Sequence, residues 1–147
     1  MAESWKCFEA IFFPLRVEID SFMKMKNKEV PQLADSTFIC NLAFLTDVSD
    51  HLNSLNLKLQ GRKQVITQMY DSVKSFKVKT TLWGKQLTAG NLVHFLTLNS
   101  LGKIEPKSLK EYADIISNLH KQFVWFKDFK ALEPHFQLFF YTICCGN

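Results

Sequence analysis

Turn-forming residues are scarce. Five glycines and four prolines stand in 147 residues, about half of average usage, which leaves little punctuation for a many-stranded β fold and favours a few long elements. Cysteine is limited to Cys7, Cys40 and the adjacent Cys144 and Cys145. No CxxC spacing and no neighbouring histidine pair accompanies them, so neither a zinc site nor a disulfide framework is expected, and reduced thiols inside a cell fit best. Long apolar runs are absent as well, none reaching the roughly 18 residues of a membrane span. The opening stretch MAESWKCFEA lacks the basic-then-apolar order of a secretory signal, and an intracellular setting, nuclear or cytoplasmic, is expected.

Chemistry-bearing patterns are missing in the same way. No glycine pattern resembles a phosphate loop, and no Ser or Cys sits in a GxSxG elbow. His51, His94, His120 and His135 stand far apart, with no HxxxH or HExxH spacing. They read as polar-face or partly packed residues. The sequence therefore predicts no catalytic residue, no cofactor, no metal ligand and no small-molecule substrate. It does not read as an enzyme.

What is present is a helical pattern. Hydrophobic residues make up 47% and charged ones 22%, which excludes intrinsic disorder. One α-helical domain spanning residues 1–147 is expected, in the all-α class. Trp5, Phe8, Ile11 and Phe12 repeat at helical spacing, and Leu15, Ile19, Phe22 and Met23 resume it after Pro14, a residue that should kink or divide the helix. Asp35 and Ser36 are N-cap candidates for a second helix. Its stripe, Phe38, Leu42, Leu45, Val48, Leu52, Leu55 and Leu59, is expected to face inward up to a terminating Gly61. Asp47, Asp50 and His51 are then expected on the solvated face opposite those leucines.

A third stripe, Ile66, Met69, Val73, Phe76, Thr80, Trp83 and Leu87, steps by alternating threes and fours. Across the Gly61 bend it predicts an antiparallel helical hairpin with the second helix, with further helices flanking it. Gly90 or Asn91 should close this third helix. Leu92, Phe95, Leu96 and Leu98 predict a short apolar helix, and Tyr112 to Phe126 a longer one after Pro106, running to Lys130. Residues 136–147 suit a strand or a buried helical turn equally well.

One charge asymmetry stands out. The net charge is only +4, yet residues 72–104 carry Lys74, Lys77, Lys79, Lys85 and Lys103 and no Asp or Glu. Phosphates could be received there, with Arg62 and Lys63 extending the patch. The candidate DNA-backbone residues are thus Arg62, Lys63, Lys74, Lys77 and Lys79. The bland alternative is a solvated face opposite an apolar stripe. The fourteen Phe, three Trp and three Tyr fall mostly on the inward stripes, so they read as core and not as base-stacking platforms.

The motifs LAFLTD (Leu42 to Asp47), HLNSLNLKLQG (His51 to Gly61), VKSFKVK and LW up to Trp83 resemble the hAT-superfamily transposase-derived proteins of vertebrates. That group takes in the zinc finger BED domain proteins and the general transcription factor II-I repeat domain-containing proteins. Weaker similarity lies in LRVEIDSF before these motifs and in NLVHF and PHFQLF after them. The resemblance implies the all-α insertion that interrupts an RNase H-like catalytic fold. It also implies that this stretch lies between the regions supplying the family's two Asp and one Glu, whose metal clamp cleaves DNA. No catalytic position carries over to a numbered residue, and no Cys and His set matches the BED zinc finger. Residues 136–147 end in FYTICCGN, which departs from the family pattern and reads as a divergent tail. The functions expected are a non-catalytic domesticated fragment engaged in protein association, homo-oligomerisation or weak DNA-backbone contact; a helical adaptor with no nucleic-acid role; or a chain without a selected function.

Overall fold

The computed structural model describes residues 15–28, 30–60 and 66–123. Among these residues every regular element is helical. Helix α1 covers Arg16–Met25, a 3₁₀ turn Pro31–Ala34, α2 Ser36–Leu59, α3 Ile66–Thr88, α4 Leu96–Asn99 and α5 Pro106–Gln122. The expected Trp5 to Phe12 stripe, the Gly61 bend and the stretch 136–147 lie outside the described residues.

Local chemistry sets the boundaries. Helix α1 begins at Arg16, just past Pro14. It closes where Asn27 adopts φ +52°, with Lys28 N–H donating to the Met23 carbonyl at 3.0 Å and Asn27 N–H to that of Lys24 at 3.0 Å, the paired bonds of a Schellman ending. Asp35 caps α2, its carboxylate accepting the Thr37 N–H at 2.9 Å. Helix α3 ends in the same fashion as α1 around Gly90, at φ +74°. Asn91 N–H reaches the Gln86 carbonyl at 2.8 Å and Gly90 N–H that of Leu87 at 3.0 Å, so a left-handed residue is required there and glycine supplies it at least cost.

The chain forms two compact units. One holds the chain up to Asn53 together with Leu92–Glu105; the other holds Ser54–Asn91 together with the chain from Pro106.

In the second unit the α3 stripe is buried from its third member on: Val73, Phe76, Thr80, Trp83 and Leu87 lie inside, while Met69 is half-buried and Ile66 is 48% exposed. The helix that packs along α3 is α5. Phe76 meets Phe123 with ring centroids 5.6 Å apart, Thr80 meets His120, and a Cβ built on Gly84 would lie 4.0 Å from the Ala113 carbonyl oxygen. Residue numbers rise on α3 as they fall on α5, so the two helices are antiparallel. Tyr112, Ala113 and Ile116 form the buried face of α5, and Phe76 and Trp83 stack edge to face at 5.6 Å.

In the first unit the core gathers around Phe95, which has no exposed surface. Its ring stacks on Phe44 at 5.7 Å, and the His51 ring meets it edge-on at 5.9 Å. Here the expectation for α2 is corrected. Ala43, Phe44 and Asp47 are the buried residues of its first half; of the expected stripe Leu55 is buried and Leu42, Val48 and Leu59 are half-buried, while Leu45 is 52% exposed and Phe38 and Leu52 more than one-third exposed. Asp47 and His51 belong to the packed face and not to the solvated one; Asp50 alone of that trio is exposed. The reason is that Asp47 gains partners that repay its burial, which a periodicity of leucines cannot foretell.

Candidate functional site

Of the candidate phosphate-contacting lysines, Lys74, Lys77 and Lys79 belong to α3, and the helix distributes them. Lys74 and Lys77 are three residues apart and share one side of the helix; Lys79 lies about 200° round the axis from Lys77. Lys77 and Lys79 therefore flank the buried stripe on opposite shoulders. Lys74 and Lys79 are exposed and Lys77 is half-buried. The Lys74 ammonium lies 5.9 Å from the centre of the Tyr70 ring one turn earlier, within cation–π reach. Lys85, two turns beyond Lys77, is exposed on the side that carries Lys74. Arg62 and Lys63 lie outside the described residues.

An open groove of about 420 Å³ lies between α3 and α5, lined by Thr80, Thr81, Lys85, Thr88, Asp114, Ser117 and His120, with Gly84 and Ala113 at its floor. A Cβ at Gly84 would meet the Ala113 carbonyl oxygen at 4.0 Å, an ordinary contact distance. Thr80 is 1% exposed, and its hydroxyl donates to the Lys77 carbonyl at 2.8 Å. That hydroxyl has one hydrogen, so the 2.9 Å contact with His120 Nδ1 is a bond in which imidazole N–H donates to Thr80 Oγ1. Thr81 Oγ1 likewise donates to Lys77, at 3.2 Å, and Thr88 Oγ1 to the Gly84 carbonyl at 2.9 Å. With their hydrogens turned to the backbone, these threonines present lone pairs to the groove, beside one ammonium and one carboxylate.

The polar cluster of the first unit is a clamp. Thr97 N–H donates to Asp47 Oδ1 at 3.0 Å and Leu98 N–H to Asp47 Oδ2 at 2.9 Å. These are the second and third N–H groups of α4, which its own first residues leave unsatisfied, Phe95 at the N-cap position offering no side-chain bond. One turn further along α2, His51 Nε2 lies 2.8 Å from the His94 carbonyl. A carbonyl only accepts, so Nε2 carries the hydrogen. Burial pushes the His51 pKa below its ordinary value, against the opposing effects of the His94 hydrogen bond and of Asp47. Cys40 is half-buried, and burial, with the carboxylates of Asp35 and Glu105, pushes its thiol up. Among the described residues no three His, Cys, Asp or Glu side chains come together to hold a metal ion, and no helix is long and apolar enough to cross a membrane.

The clamp was not legible from residue spacing. Asp47, Asp50 and His51 read as a polar turn, and the backbone groups that Asp47 accepts carry no side-chain signature. The one available hint was that Phe95 and Leu96, aromatic and aliphatic, open α4 with no capping residue of their own.

These features define an all-helical module in which an antiparallel helix pair and a clamped aromatic core are held by side chains distant in sequence. Residues 6–88 match the family described as the FAM200/GTF2IRD2 helical domain, and the chain belongs to that family. It is similar to general transcription factor II-I repeat domain-containing protein 2 of Mus musculus, with 43% identity over 129 residues covering 87% of this chain and 14% of that protein. The protein of the same description from Bos taurus gives the same identity and coverage. The chain thus spans about one-seventh of the length of these curated relatives. No solved structure matches.

Proposed function

We propose that this chain is a non-catalytic helical module of hAT-transposase descent whose work is association with another polypeptide. The observation that carries the reading is the second apolar face of α2. That helix buries Ala43, Phe44 and Asp47 on one side and leaves Phe38, Leu45 and Leu52 at 36–52% exposure on another. A helix apolar on two sides, packed on one, is suited to receive a partner. The name of the mouse and cattle relatives speaks of general transcription factor II-I repeats; carried to this chain, it supports a nuclear setting.

A second reading, contact with the DNA backbone through Arg62, Lys63, Lys74, Lys77 and Lys79, is favoured by the run of lysines without acidic residues. Two of its lysines share a side of α3 and one lies across the buried stripe, which supports a weak, distributed contact over a single phosphate track.

Two measurements separate the readings. Fluorescence anisotropy with a labelled duplex at 50 and 200 mM salt tests the second: binding that falls steeply with salt and is lost in the Lys74→Ala, Lys77→Ala, Lys79→Ala variant would put DNA contact first. Binding of an apolar fluorescent dye to the folded chain tests the first. The association reading expects dye binding and shallow, weak DNA binding; a folded chain that leaves the dye dark overturns it.

A further inference from the structure

We infer that the exposed ridge of α2 pairs with the same ridge of a second copy of this chain, antiparallel, about a two-fold axis at Leu45. The inference deepens the association reading and rests on it. Phe38, Leu45 and Leu52 recur every seven residues, the period at which paired helices keep a seam facing each other. The packed side of α2 follows a different line through Phe44, Asp47 and His51, so the ridge is not a loosely covered edge of the core.

What singles out a second copy is the symmetry of the stretch about its central leucine. Antiparallel pairing centred on Leu45 places Phe38 against Leu52, Leu42 against Val48 and Asn41 against Ser49. Each apolar residue meets an apolar one and each amide a hydroxyl. A two-fold contact brings a patch against itself, so a charged patch would be self-repelling. Between Phe38 and Leu52 the charged residues of α2 are Asp47 and Asp50. Asp47 is buried and bonded to the start of α4, and Asp50 lies off the ridge. A nucleic acid or a strongly charged protein would find no complementary charge on this face. The seam spans about 21 Å, or four turns, less than a standard interface, so dimerisation in the micromolar range is expected.

Sedimentation of the full chain across 1–500 µM, together with cysteine cross-linking, tests this. The expected result is a reversible monomer–dimer equilibrium, weakened at least tenfold by Leu45→Asp, which sets two carboxylates against each other on the axis. Circular dichroism should stay unchanged, since residue 45 is half-exposed in the monomer. Under mild oxidation Leu45→Cys should give a dimer linked through residue 45 to itself, and a mixture of Phe38→Cys and Leu52→Cys chains a 38–52 link, both identified by mass spectrometry. The two cross-links keep the inference falsifiable if Leu45→Asp disturbs the fold. A monomer at every concentration, or a dimer without these cross-links, overturns it. A monomer that still binds the apolar dye leaves the association reading standing with a foreign polypeptide as partner; a monomer that leaves the dye dark overturns both.

Discussion

Leu98 donates its backbone N–H to Asp47 Oδ2 at 2.9 Å across 51 residues of sequence, and with the neighbouring bond from Thr97 this makes Asp47 the cap of a helix to which it does not belong. A cap is ordinarily supplied by the residue just before the helix. Here Phe95 holds that position and uses its side chain to fill the core, so the capping work passes to a carboxylate on α2.

Asp47→Ala should therefore destabilise the protein by about 1–3 kcal/mol, because two buried N–H groups lose their acceptor. Asp47→Asn should cost less, since its one carbonyl oxygen can still take one of the two bonds. Urea denaturation followed by circular dichroism measures both. Equal and negligible effects would refute the cap.

The apolar positions of α3 differ sharply in burial. Trp83 is 4% exposed and Val78 is 67% exposed. Trp83→Ala should cost about 3–5 kcal/mol and Val78→Ala within about 0.5 kcal/mol, read as the difference in urea midpoint at constant slope.

Two glycines should respond in opposite directions. Gly84 lies inside α3 with ordinary van der Waals room for a Cβ, so Gly84→Ala should raise stability by up to about 1 kcal/mol through helix propensity. Gly90 has φ +74°, and Gly90→Ala should lower stability by about 1 kcal/mol, since an L side chain is strained there. Thermal melts of the two variants, shifted up and down respectively, check the pair.

His51 supplies a pH dependence of known sign. Its folded pKa is lowered from an unfolded value of about 6.5, so between the two values the unfolded chain binds more protons than the folded one. Stability then rises with pH through that window, levels off above about 6.5, and is reduced in acid. His51→Gln keeps a donor for the His94 carbonyl and removes the titration. The slope of unfolding free energy between pH 5 and 7 should flatten in that variant relative to the parent.

The α3 stripe was readable from Val73 to Leu87 because those residues lie on the face packed against α5, so period and burial coincide there; Ile66, at the start of the stripe, is 48% exposed. Thr80, the polar member, was legible as part of the stripe; its bond to His120, forty residues away, was not. For α2 the strongest period picked out the ridge of leucines, and the packed line through Phe44, Asp47 and His51 was hidden behind it. Hydropathy counts the side chain alone, whereas Asp47 owes its place to backbone groups on α4. The family motifs were likewise readable, since LAFLTD and its neighbours fall inside the matched residues 6–88. The candidate lysines could be found by composition, but which side of α3 each one takes follows from the helical turn and the stripe it surrounds.

Each compact unit is assembled from two stretches separated in sequence, with α3 leading out of one and Leu92–Glu105 leading back into it before α5 returns. Neither unit can be excised with a single cut. A break in the chain inside 55–104 divides both units at once, so a fragment that keeps one unit whole must also carry the intervening stretch of the other, as 1–105 and 54–147 do.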